Sequence, residues 1–324
     1  MALLPIKFEH PWWQAIRSDL LTALAFDEPR ARLDWLNKQA HARVCRNGRG
    51  LSIEFIDQAH WSGRAYEAWI DQHGQVPTRL AGKGQWHDLF NALIWLSCPL
   101  SKAQLNRAHA QANRAHEQNR AHAQALRTDA PGSLAQAGRR GPMRDKATLI
   151  DEQALIWLAI DPVLRDALQN RDWSTLFVKE RDRWFGQQQT QSLFVFGHAL
   201  YEKFLAPYKA LTAHVLILSP AATSSELKAQ SKTGCLDVRH LDAWLAARLS
   251  DWIDAQIRQQ PHDRGPFAHP ACGEAAQARS LQASPAATLQ LYPLPVLGVP
   301  GWHQDNACPA FYDDCHVFRG PVNS

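Results

Sequence analysis

Apolar residues recur at helical spacing through the first part of the chain. Trp13, Ile16, Leu20 and Leu24 predict a helix over 10–25, and a second follows over 31–42. Leu51-Ser-Ile-Glu-Phe-Ile alternates and is rich in strand formers, so it predicts a strand. A short helix is expected over 65–72, closed by His73-Gly74. After a loop at Val76–Arg79, Trp86 to Leu96 reads as a strong helix that Pro99 stops. Ser101 and Gln104 have capping-box spacing and predict a fresh helix start. Ala147 to Ile160 reads as a hairpin turning near Glu152-Gln153. Asp161-Pro162 has the form of an N-cap followed by proline at the first helical position. Trp173 to Trp184 predicts a short helix, Gln191 to Phe196 a strand, the segment after Gly197-His198 a helix, and Thr212 to Leu218 a strand. Asp237 is placed to cap a long amphipathic helix carrying Leu241, Leu245, Leu249, Trp252 and Ile253 on one face. Helices outnumber strands and do not alternate with them regularly. The expected fold class is therefore α+β, a mostly helical single domain over 1–324 with a small, mainly antiparallel sheet.

Composition supports a packed globule, with 45% hydrophobic residues, thirteen Trp and twelve Phe. Six cysteines contain no C-x-x-C pair, and the start lacks the features of a secretory signal. Reduced thiols in the cytoplasm are the expectation, and no apolar run is long enough to predict a membrane span. The net charge of +4 is unevenly placed: 106–144 holds seven Arg against Glu117 and Asp129, a net of +5 that leaves the remainder near −1. This segment contains three copies of Asn-Arg-Ala-His at unequal periods. Arg107 and Arg114 fall about 20° apart on a helical wheel, but Arg120 falls roughly 240° further round. No continuous stripe results, so 106–144 reads as a solvated helix or frayed loop added to the domain. The Pro-, Gly- and Ala-rich stretch 261–288 reads as a flexible loop.

Four constellations could carry chemistry. His198 and Glu202 lie four apart at the start of a predicted helix, where the macrodipole keeps imidazole neutral, and His214 lies on the next strand. These three form a candidate divalent-metal set; alternatively, His198 and Glu202 brace the corner by bonding each other. His87, Asp88 and Asn91 share one helix, with Arg79 just before them as a partner for a carboxylate or anionic ligand. Asp88 would otherwise serve as the helix cap. His87, Asp88, Asn91, His198 and Glu202 are thus the candidate catalytic residues. Arg144-Asp145 with Thr148, Asp151 and Glu152 form the third group, either turn residues or a site. The fourth is the closing segment from Pro295 to Arg319, with His303 and Asp305, which could cover a site as a lid or strap a hydrophobic edge. Phosphate-loop, dinucleotide-fingerprint, H-E-x-x-H and G-x-S-x-G motifs are absent, which disfavours NTPase, dinucleotide oxidoreductase and serine hydrolase functions.

Several pieces taken together resemble a bacterial family known as domain of unknown function 3025. They are Thr78-Arg79, His87 to Trp95, Leu105-Asn106, Arg144-Asp145 through Asp151-Glu152, Phe196 to Lys203, and the tail from Leu294 to Arg319. The resemblance implies a soluble bacterial protein and names no cofactor. The Asn-Arg-Ala-His repeats and the 261–288 stretch depart from its pattern. Two function classes follow from the residues. One is a hydrolase-type enzyme using a His/Glu site, with or without a divalent metal. The other is a non-catalytic protein that binds an anionic partner through 106–144, including weak, salt-sensitive contact with nucleic acid.

Overall fold

A computed structural model describes residues 6–61, 63, 65–125, 141–158, 160–186, 192–218, 238–259 and 288–320. Residues 126–140 of the basic segment, 261–287 of the loop expected over 261–288, and the cap Asp237 lie outside the described residues.

The first elements are α1 (Arg17–Leu24), α2 (Pro29–Ala42), β1 (Glu54–Asp57), α3 (Tyr66–His73), β2 (Gln75–Thr78), α4 (Gln85–Ser97) and α5 (Pro99–Ala125). Next come α6 (Pro142–Gln153), β3 (Ala154–Leu158), α7 (Pro162–Gln169), α8 (Arg181–Gly186) and β4 (Leu193–Val195). The last are α9 (His198–Lys203), β5 (Thr212–Leu218), α10 (Val238–Gln259) and β6 (Tyr292–Pro295). Among the described residues no helix is long and apolar enough to cross a membrane.

The α+β expectation stands, but the sheet is mixed rather than mainly antiparallel. The larger sheet runs β4-β3-β5-β6, with β3 and β5 parallel at its centre and an antiparallel strand at each edge. β1 and β2 form a separate parallel pair. The physical reason is visible in β3, where all five residues Ala154 to Leu158 are buried. A strand covered on both faces reads as a continuous apolar run, which is the pattern of a parallel central strand.

The segment 147–160 is also corrected. It is not a hairpin: α6 runs to Gln153 and passes straight into β3. Gly141 caps α6, and Pro142 occupies its first turn. Met143, Ala147, Ile150 and Asp151 are its buried residues, a spacing of four, seven and eight that belongs to a helix. Val76–Thr78, expected as loop, forms β2. Trp173 to Trp184 divides into a π-helical turn, Thr175–Lys179, and the start of α8.

α4 is the central helix, with every residue from Leu89 to Leu96 buried. It packs on α2, α5, α9 and β2. The start of α5 is capped from outside rather than by the Ser101–Gln104 box. The Asp242 carboxylate of α10 accepts the amides of Leu100 at 2.9 Å and Ser101 at 2.8 Å, and the Ser101 hydroxyl donates to the Asp242 carbonyl. Trp13, Phe90 and Tyr201 stack with centroids 5.6–5.8 Å apart, binding α4 to α9. Such ring pairs contribute about 0.5–1.5 kcal/mol each beyond their burial. Phe90 and Tyr201 each lie three residues after a histidine, His87 and His198. The same contact therefore sets the distance between those two side chains.

Candidate functional site

Three helices each turn a polar stripe toward one point. On α4 it is His87, Asp88 and Asn91. On α5 it is Lys102, Asn106 and His109, spaced four and seven apart. On α6 it is Arg144, Thr148, Asp151 and Glu152. Tyr66 and Glu67 of α3 and His198 of α9 complete a cavity of about 370 Å³, to which Gln58 and Arg79 also contribute. Two larger cavities, each of about 660 Å³, lie elsewhere. In one of them the main polar groups are spent on each other, Arg43 pairing with Asp19 and Asp242 capping α5.

Asp151 is the hub. Its Oδ1 accepts from Lys102 Nζ at 2.5 Å, and Lys102 also donates to Asn91 Oδ1 at 2.8 Å. Asn91 in turn donates to the Tyr66 hydroxyl at 3.0 Å. Burial alone would raise the Asp151 carboxyl. The Lys102 ammonium and its hydrogen bond, with smaller help from His198 and His109, outweigh it and hold the group down at about 2. The Tyr66 phenol is pushed well above its ordinary value by burial. Asp88 is pushed up by burial as well, although it accepts the Arg79 amide at 2.8 Å. Asp88 therefore fastens the loop before α4 and does not cap that helix, whose N-cap is Gly84.

The chain turns sharply from β4 into α9 at Phe196-Gly197-His198. The amides of Phe196 and Gly197 both donate to the Ala154 carbonyl, and a side chain at Gly197 would fall on the backbone of Glu152 and Gln153. This close approach needs glycine. It lays the His198 ring against the end of α6, where Nδ1 donates to the Asp151 carbonyl at 2.7 Å. Burial, the largest influence, depresses His198 to about 3 despite the attraction of Asp151. His198 Nε2 faces His87 Nε2 at 3.1 Å, and His87 Nδ1 faces Glu202 Oε2 at 3.2 Å. Glu202 thus backs His87 and does not bond His198.

His214 is not among the residues lining this cavity. It sits on β5 opposite Ala154 and Pro293, half-buried, and is lowered by burial and then by Lys203. His303 and Asp305 are also away from the cavity, and the tail is a strap rather than a lid. His303 accepts the Asp305 amide and lies against Phe311. Phe311, Tyr312 and Phe318 cluster together, the last two against Phe177. Buried Asn306 ties the strap down through the carbonyls of Leu297 and Val299.

The sequence reading missed Tyr66, Glu67, Lys102, Asn106 and His109. It also placed the first Asn-Arg-Ala-His copy in a solvated segment, whereas Asn106, Ala108, His109 and Ala110 are buried. Arg107 pairs with Asp254 and Arg114 with Asp71, so these two arginines of the basic segment are engaged within the chain. Glu67, His109 and Asp151 each offer a ligand atom, and these atoms all lie within 4.8 Å of one another. Asn106 Nδ2 orients Glu67 through both its carbonyl and its Oε2, at 2.9 and 3.0 Å. His109 is 5% exposed and lines the cavity beside Glu67 and Asp151.

A family model described as "Protein of unknown function (DUF3025)" matches residues 53–266 and 267–321. No curated protein and no solved structure matches the chain. Arg79, His87, Asp88, Asn91, Arg144, Asp151, Glu152 and His198 come from four separate pieces of the sequence that resembled this family, and all line the one cavity.

Proposed function

The chain belongs to the DUF3025 family, whose description assigns no chemistry, and we propose from the site itself that the cavity is the active site of a metal-assisted hydrolase. The observation that carries this reading is the convergence of Glu67, His109 and Asp151 from α3, α5 and α6, with ligand atoms within 4.8 Å and His109 buried. One imidazole and two carboxylates are a donor set suited to a first-row divalent cation such as Zn²⁺ or Mn²⁺. Three protein ligands leave coordination positions open, and the ion would lower the pKa of a water there toward neutrality.

The chain's own groups support the rest of the reaction. Asp151, held at about 2, stays ionised at neutral pH and keeps one oxygen free of Lys102. Asn106 fixes the Glu67 carboxylate. The Glu152 carboxylate lines the cavity without a hydrogen-bond partner among the described residues, in position to take a proton from water. Arg144, one turn from Thr148 and likewise unpaired, faces the same space with Arg79, so the substrate carries negative charge at or near the bond that is cleaved.

Chelator-stripped protein with Zn²⁺ or Mn²⁺ restored should hydrolyse at least one of two chromogenic substrates, a phosphomonoester or a phosphodiester. Glu152→Gln should lower that rate by about 10²-fold or more while leaving the melting temperature unchanged. A rate indifferent both to chelation and to Glu152→Gln would overturn the assignment.

A further inference from the structure

The two histidines facing each other raise a separate question of charge. His198 Nδ1 lies 2.7 Å from the Asp151 carbonyl, an oxygen that can only accept, so Nδ1 carries the hydrogen. His87 Nδ1 lies 3.2 Å from the Glu202 carboxylate, which also accepts, so the same holds there. A neutral imidazole has one hydrogen. Both Nε2 atoms therefore present lone pairs, and they stand 3.1 Å apart. Two acceptors at hydrogen-bond distance with nothing between them repel. Either an added proton or a cation removes the conflict.

We propose that the Nε2 atoms of His87 and His198 bind a second divalent cation, of the nitrogen-preferring class that includes Zn²⁺, distinct from the one held by Glu67, His109 and Asp151. The separation fits. Two nitrogens each about 2.0–2.1 Å from one ion stand roughly 3.0 Å apart at a right angle and 3.3–3.4 Å apart at a tetrahedral angle. The ring centroids stand only 4.5 Å apart, too close for the two Nε2 atoms to face each other end to end, so the rings meet at an angle and their lone pairs can converge on one point. The surroundings fit as well. Metal-ligating histidines almost always donate their other ring N–H to a carboxylate or a backbone carbonyl. Here one ring has the carboxylate and the other the carbonyl. The Trp13–Phe90–Tyr201 stack fixes the two helices that carry them.

This site uses none of the atoms of the first, so the two can fail separately. Zn²⁺ alone is titrated calorimetrically into chelator-stripped, untagged full-length protein, with circular dichroism as the fold control. Wild type should take up two ions per chain, His87→Ala one, and His109→Ala one. The His87 side chain is 38% exposed, so its removal spares the core. Glu202→Gln should keep both ions while weakening one by about 10–100-fold, as loss of the supporting carboxylate does. Uptake unchanged in His87→Ala overturns the second site and leaves the pair sharing a proton. A single wild-type ion lost in His109→Ala alone, or lost in both variants, overturns it too. A single ion lost only in His87→Ala supports this site and contradicts the first.

Discussion

Asp151 shows how one residue can tie several side chains together. Its backbone carbonyl orients His198, one carboxylate oxygen neutralises buried Lys102, and the other lies 3.7 Å from His198 Nδ1. Breaking such a buried pair strands a charge, and that costs far more than an exposed pair contributes. The pH dependence of metal-free protein follows from two shifts. His198 titrates at about 3 in the fold, below its ordinary 6.5, so between those values the unfolded chain binds a proton that the folded chain does not. Stability is therefore complete above about pH 6.5 and falls as the pH drops toward 3, by at most about 1.4 kcal/mol per pH unit. Asp151, depressed to about 2, adds stability that is present above roughly pH 4 and lost as the pH falls through 2. His198→Gln should flatten the stability curve between about pH 4 and 6.5 and leave the lower limb. Urea unfolding at a series of pH values measures this, and parallel curves for the two proteins would refute it. His87, Asp88, Asn91, His198 and Glu202 could be singled out from the sequence because each sits in a short polar break within an apolar run. His109 could not, because its Asn-Arg-Ala-His tetrad recurs twice. Only its spacing from Lys102 and Asn106 marks it as the copy facing inward.

At the scale of elements, the turn from β4 to α9 decides whether the histidines meet. Gly197 leaves no room for a Cβ against the backbone of Glu152 and Gln153. Gly197→Ala must push α9 away from α6, at a cost of about 1–3 kcal/mol for overpacking. It should also weaken metal uptake at His87 and His198, since it displaces the ring of His198. Thermal unfolding together with zinc titration checks both effects, and a variant matching wild type in each would show that the corner is looser than described. The sequence placed this corner correctly from Gly197-His198. It misread the element on the other side, because Asp151-Glu152-Gln153 followed by Ala-Leu-Ile-Trp-Leu looks like a turn entering a strand. The helical evidence lay upstream, in Pro142 and the spacing of Met143, Ala147 and Ile150. Capping of α5 by Asp242 was beyond local reading, since the partners are 141–142 residues apart.

Over the whole molecule, the mixed sheet and the strap hold a scaffold on which α3, α4, α5, α6 and α9 present their polar stripes. Fold class was legible because periodicity is local. The parallel pairing of β3 with β5 was not, because it joins strands about sixty residues apart in the chain. Of the two uses open to the tail, packing is the one seen: Trp302 lies against Trp12 and Phe204, and Phe311, Tyr312 and Phe318 gather around the Phe177 turn. The central claim is that the polar cavity holds a cation at Glu67, His109 and Asp151. Its most direct test is the metal content, by mass spectrometry, of untagged wild type and His109→Ala purified side by side without chelator. The account predicts bound divalent metal in wild type, at least one fewer ion per chain in His109→Ala, and matching circular dichroism. Equal metal in the two proteins, or none in wild type even after incubation with Zn²⁺ and Mn²⁺, would contradict it.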